Sequence, residues 1–329
     1  MIKGIFVLFG LILFVIESVY FRLASQFKIV DKPNERSLHV KPTIRGGGVI
    51  FPIAVAIYFF ATNYPSFLFL VGLIAVSVIG FLDDIKSLKS LTRFIVQSLA
   101  IGLMIYDLGI FSQYWWISVV TFVVVTGTLN AYNFMDGING LTAGYSAVIM
   151  CCLLYINSYV VHFTEANLIV TFLISLLVFG YFNFRRVAIC FAGDVGSMAC
   201  GFFVIYLILD LIYTSHNYVY ILFLAVYGVD SVLTIVHRLT LKQNIFKPHK
   251  LHLYQQLISI AKINHLQMTV IYMLIQSFVC LLVIFIVGQA ISTQYWIGLA
   301  ALLFLGATYL FVKFKLLATY SNANISQPH

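Results

Sequence analysis

Eleven mainly apolar stretches follow one another along the chain, at roughly 1–22, 47–63, 66–82, 93–110, 114–130, 141–161, 166–183, 196–213, 217–237, 267–289 and 293–313. Each approaches the ~20 residues a helix needs to cross a bilayer. Several are rich in Val, Ile and Phe, which in water would favour strands. In lipid every backbone polar group must be satisfied internally, so helix is expected instead. The alternation of an outer-membrane barrel is absent. The sequence therefore predicts an all-α polytopic membrane protein with about eleven transmembrane helices, in a single integral-membrane domain over 1–329. Composition agrees: 62% of the 329 residues are hydrophobic and 9% charged, against about 25% charged in soluble domains. This excludes a soluble enzyme, a disordered chain and a disulfide-built secreted module.

Sidedness follows from the basic residues. Of the 19 Lys and Arg, 18 fall on the odd-to-even connections and the tail, and Lys3 alone on the other side. The expectation is an N-terminus outside and a C-terminus in the cytoplasm. The net charge of +8 is then cytoplasmic charge suited to anionic headgroups and substrates. No basic, aromatic-interleaved patch supports nucleic-acid binding. The first run lacks a small-residue cleavage site, so an uncleaved span is expected. Cys151, Cys152, Cys190, Cys200 and Cys280 lack metal-ligand spacing and read as packing residues.

Polar residues gather at span ends on the predicted cytoplasmic side. Asp83-Asp84 closes the third run; two adjacent carboxylates repel, which favours holding a proton or a cation. In Asn130-Ala-Tyr-Asn133-Phe-Met-Asp136-Gly137-Ile-Asn139-Gly140, the three-residue spacing is expected to line Asn130, Asn133 and Asp136 on one face. Gly137 and Gly140 are expected to let the backbone turn closely round a ligand. Gly193-Asp194-Val195-Gly196-Ser197 opens the eighth run, where a carboxylate and a helix N-terminus suit pyrophosphate with Mg²⁺. A simple helix cap by Asp194 is the competing reading. His249 and His252 lie among lysines. Without an accompanying thiol they suit phosphate or sugar oxygens better than zinc.

With Asp31–His39, Arg45-Gly-Gly-Gly48 and Asn183, these motifs resemble the polyprenyl-phosphate N-acetylhexosamine-1-phosphate transferase family, in that family's order through most of the chain. The closest likeness is to the O-antigen-initiating enzymes. The resemblance implies a bacterial inner-membrane enzyme joining a cytoplasmic UDP-N-acetylamino sugar to undecaprenyl phosphate, with UMP leaving. It implies Mg²⁺, with Mn²⁺ the alternative, and leaves a homodimer open. Carried over by motif, Asp83 activates or orients the lipid phosphate, Asp84 supports it or the metal, and Asp194 is the preferred metal ligand. Asn130, Asn133 and Asn183 bind substrate, Asp136 acts with Asn133 on the nucleotide, and His249 and His252 meet phosphate or sugar. Lys86, Arg93 and Arg238 neutralise phosphate charge.

Three positions depart from the family pattern: Asn139 where a second Asp is common, Ser87 after the Asp pair, and a histidine loop reading His-Lys-Leu-His-Leu-Tyr-Gln. Two other classes compete. A transporter would use mid-span acids, for which Glu17, Asp210 and Asp230 are the candidates. Asp230, with His237 and Arg238 one to two turns on, is instead expected to support the site. A CDP-alcohol phosphotransferase needs Asp-Gly-x-x-Ala-Arg, and Asp136-Gly137 continues as Ile-Asn-Gly-Leu.

Overall fold

The structure is a computed structural model that describes residues 2–31, 42–112, 114–244 and 249–325, with side chains described between 4 and 318. Most of the 31–39 motif, along with Lys247 and Pro248 of the histidine loop, lies outside the described residues. Every one of the eleven apolar stretches is helical. Among the described residues nine helices are long and apolar enough to cross a membrane, and Gly47–Thr62 is shorter. α4 (Ser90–Asp107) is diluted by Arg93, Gln97 and Asp107. The protein is an all-α polytopic membrane protein.

The centre is α8 (Gly193–Ser215), nearly all of which is buried from Val195 to Ile212. A helix that is apolar all round belongs inside, and α8 packs against α2 (Ile50–Thr62), α3 (Phe67–Ile85), α5 (Trp115–Met135) and α6 (Leu141–Tyr159). α1 (Ile2–Gln26) lies outside against α7 (Ala166–Asn183). Of the remaining helices, α11 (His265–Ile286) packs on α6 and α12 (Ile291–Ile325) on α9 (Ala225–Thr240), while α10 (Leu253–Ser259) is short. Aromatic stacking fills the interior: Phe69 lies 3.8 Å from Tyr206 and Phe172 3.9 Å from Phe203 between ring centroids. Ser77, Ser98, Thr128 and Ser158 each donate to the carbonyl four residues back, satisfying their hydroxyls within their own helices.

One small element was not expected. β1 (Val30–Asp31) and β2 (Thr43–Ile44) pair antiparallel, Val30 opposite Ile44, and Ile44 also bridges Cys190. This ties the chain after α1 to the segment before α8, and it brings Arg45 to the start of α8.

Candidate active site

The site is built where α3 ends and α8 begins. Gly193 adopts a left-handed φ of 72°, and a Cβ there would stand 2.8 Å from the Gly46 nitrogen, so only glycine fits. The turn before α8 is correspondingly close: a Cβ on Gly196 would come within 2.6 Å of the Gly48 Cα. This approach lets Asp84, on α3, cap α8. Its two carboxylate oxygens accept the Asp194 and Val195 N–H groups at 2.9 and 3.1 Å. The helix start is thus satisfied by a carboxylate from a different helix, and Asp194 is free of the capping role that competed with its functional reading.

Two arginines close the cluster. Arg45 places Nε 2.7 Å from Asp84 and a terminal nitrogen 3.4 Å from Asp194. From the other side Arg93 reaches Asp83 at 2.9 Å and Asp194 at 3.3 Å. Asp84 is 0% exposed, whereas Asp83 and Asp194 are 11% and 18% exposed and both arginines 34%. Asp84 is therefore the built-in member, while the other four groups can be reached from outside. Arg45 escaped the sequence reading as a site residue; its only signal was a cation leading three glycines, since Asp84 is 39 positions away.

The Asn-x-x-Asn-x-x-Asp segment divides. Asn133 donates to Ser197 at 3.4 Å, joining α5 to the start of α8. Asp136 follows the last residue of α5, and its carboxylate accepts from Thr142 at 2.6 Å. Burial pushes the Asp136 carboxyl up to about 7, and the charges of Asp84 and Asp194 add to the effect. Asn130 is not brought in: it is exposed and donates to the Thr126 carbonyl of its own helix. Three residues advance a helix by about 300° rather than a full turn, so Asn130 rotates away from the face Asn133 uses. The glycines also differ from expectation. A Cβ at Gly137 or Gly140 would meet Tyr254 or Phe184, so it is the protein's own rings that come close to both glycines.

Asn183 is buried and works as a clamp, accepting the Gly140 N–H at 2.6 Å and donating to the Cys190 carbonyl at 2.8 Å. Lys86 is exposed just beyond Asp83, and Arg238 is buried beside the Asn244 carbonyl. The histidine loop does reach the segment. Phe134 lies 5.9 and 5.7 Å from His249 and His252, and the Tyr254 hydroxyl donates to the Phe134 carbonyl at 2.8 Å. Burial, with His252, Arg238 and Lys313 nearby, lowers His249 to about 4. Asp230 is hydrogen-bonded to His252, at 3.0 Å. Of the other mid-span acids, Glu17 lies beside Cys190 and Asp210 four turns along α8 from Asp194.

The model of Glycosyl transferase family 4 matches residues 66–212, which hold the Asp pair, the Asn133–Asp136 segment and Asp194. A probable undecaprenyl-phosphate N-acetylglucosaminyl 1-phosphate transferase of Bacillus subtilis is 28% identical, covering 82% of this chain and 80% of its own. The decaprenyl-phosphate N-acetylglucosaminephosphotransferase of Mycobacterium tuberculosis is 29% identical over 76% and 74% of the two chains. An undecaprenyl-phosphate alpha-N-acetylglucosaminyl 1-phosphate transferase of Yersinia pestis is 30% identical over 57% of each. These likenesses support the polyprenyl-phosphate N-acetylhexosamine-1-phosphate transferase family for this chain.

The departure at Asn139 from that family's pattern has a physical explanation. Its amide donates to the Arg185 and Arg186 carbonyls at 2.7 and 3.3 Å, which a carboxylate cannot do. Asn139→Asp is expected to lower stability by about 2 kcal/mol, the scale of a buried group left facing acceptors. Thermal unfolding in detergent measures this; an unchanged midpoint contradicts it.

Proposed function

We propose that this transferase moves an N-acetylamino-sugar 1-phosphate from a UDP-sugar to undecaprenyl phosphate at the cytoplasmic face of the bacterial inner membrane. Its product would initiate O-antigen or a related surface polysaccharide. The observation that carries this reading is the Asp83–Arg93–Asp194–Arg45–Asp84 cluster at the α3–α8 junction. Two part-exposed cations and two part-exposed carboxylates suit a site that must receive phosphates and a hard cation together.

An oxygen of the lipid phosphate attacks the phosphorus that bears the sugar. That new P–O bond forms as the bond to UMP breaks, and the electron pair leaves with UMP. Little covalent help is needed beyond placement and charge neutralisation. Arg45 and Arg93 would turn from carboxylates to phosphate oxygens, which their planar forks fit. The donor set suits Mg²⁺, a hard cation favouring carboxylate oxygens. Asp83 and Asp194 would hold it, because they are the part-exposed carboxylates, whereas Asp84 is 0% exposed and spent on capping α8. Bound there, the cation supplies charge stabilisation to the pyrophosphate. Asp83, hydrogen-bonded to the Leu88 N–H at 2.6 Å, would orient the lipid phosphate. Asn133 and Asp136 would hold the nucleotide, and His249, held neutral at cell pH, would offer hydrogen bonds rather than charge.

The test is UMP release by purified protein given undecaprenyl phosphate, Mg²⁺ and a panel of UDP-GlcNAc, UDP-GalNAc and their 6-deoxy relatives. Lipid-dependent release that EDTA stops is the expected result. Release unaffected by EDTA overturns the metal assignment, and none with any donor overturns the reaction.

The Asp136 carboxyl gives a pH prediction. Its folded value of about 7 lies above the unfolded ~3.9, so the folded state binds the proton more tightly. Stability is fully present at low pH and is lost as pH rises toward 7. Asp136→Asn removes that loss, so the variant is expected to melt above the wild type at pH 8 and level with it near pH 4. A difference independent of pH contradicts this.

A further inference from the structure

A second polar cluster lies beyond the family-matched region. Asp230 on α9 is fully buried and accepts four hydrogen bonds. His252 Nδ1 and the Leu253 N–H reach one oxygen at 3.0 and 3.2 Å, joined there by the Thr234 hydroxyl at 3.2 Å. The Tyr272 hydroxyl of α11 reaches the other at 2.6 Å. A carboxylate facing four donors only accepts, so His252 carries its hydrogen on Nδ1. That leaves Nε2, which is buried and has no hydrogen-bond partner among the described residues. His252 itself is 2% exposed.

Lys313 of α12 completes the cluster although it is buried and 61 positions from His252. Its ammonium donates to the Leu251 carbonyl at 3.1 Å and to the Tyr309 hydroxyl at 3.0 Å. Tyr309 in turn meets Thr234 at 2.9 Å. The donors therefore run in one direction, from Lys313 through Tyr309 and Thr234 to Asp230. Asp230 holds the loop through His252 and the Leu253 N–H, and the buried ammonium holds it at the Leu251 carbonyl, while the His252 Nε2, on a ring beside Phe134, is left without a partner among the described residues. Burying a charge is costly unless it is paired and hydrogen-bonded, and here both charges are committed to holding that stretch.

We propose that Asp230 and Lys313 are positioning residues that fix the histidine loop so that His252 presents Nε2 to the nucleotide-sugar donor. This rests on the transferase reading above. Asp230 sets which ring nitrogen is free and where it points; Lys313 sets the height of the loop against α12. Neither touches substrate, so their loss weakens donor binding and leaves the lipid phosphate's binding alone.

The experiment uses the full chain in detergent, with the donor the wild type turns over. Asp230→Asn is expected to raise KM for that donor about tenfold while KM for undecaprenyl phosphate stays within about twofold. Lys313→Met should shift it in the same direction by about threefold, and Lys313→Arg should restore it. Adding Asp230→Asn to His252→Gln should cost nothing further, since both act through one contact. Multiplying losses in the double variant, or equal rises in both KM values, overturn the positioning role while the reaction stands. Should Asp230→Asn not fold, the Lys313→Met and Lys313→Arg pair decides by the same KM comparison. A folded wild type that neither releases UMP nor binds the UDP-sugars in calorimetry overturns both the reaction and the positioning role.

Discussion

Asp194→Asn is expected to lower turnover by about 10²–10³-fold, the loss seen when one preorganised electrostatic group is removed from a phosphate or oxyanion site. The protein should stay folded. The side chain is 18% exposed and its partners are the outer nitrogens of Arg45 and Arg93; each arginine retains a second carboxylate, Asp84 or Asp83. The amide is nearly the same size but is a poor ligand for a hard cation and cannot pair with the arginines' charge. UMP release measured beside the melting midpoint separates the two effects. Near-normal turnover in folded Asp194→Asn would remove this residue from the reaction.

The two adjacent aspartates should part company in the same pair of measurements. Asp84→Ala takes away the cap on α8 and a partner of Arg45 together, leaving two backbone N–H groups at a buried helix start without an acceptor. Breaking a buried, hydrogen-bonded ion pair costs about 3–5 kcal/mol, so this variant is expected to be poorly folded as well as inactive. Asp83→Asn should instead lose turnover with a small change in stability. Asp83 accepts from the Leu88 N–H and Arg93, and an amide oxygen can still accept from the former. If both variants unfold alike, the division between a scaffold carboxylate and a reacting one is wrong.

The residues that separate these roles show what could be read in advance. The helices were legible because a chain this apolar has no alternative in lipid, even where β-branched residues crowd α5. Asp83, Asp84, Asp136, Asp194 and the histidines were legible as polar residues at the ends of apolar runs. Spacing misled at Asn130, because a three-residue step falls short of a full helical turn. At Asn183 the residue type carried no sign that its amide would be spent clamping backbone. Asp230 was visible as a mid-span acid, but its neighbours along α9 suggested His237 and Arg238, whereas its hydrogen bonds reach His252 and Leu253 in the loop and Tyr272 on α11.

Sequence alone determined the membrane class, the helical secondary structure and the set of motifs, since each depends on local composition against one fixed solvent. Only the tertiary structure decided which charge serves which purpose. Asp83 and Asp84 are neighbours with identical side chains, yet successive helical positions differ by about 100°. That rotation sends Asp84 into the N-terminus of α8 and leaves Asp83 facing Arg93 at the open side. Arg45 and Lys313 likewise gained their roles from backbone that returns from far along the chain. No local pattern encodes such contacts, because they exist only once glycine-lined helices have come close enough for a side chain of one to reach the backbone of another.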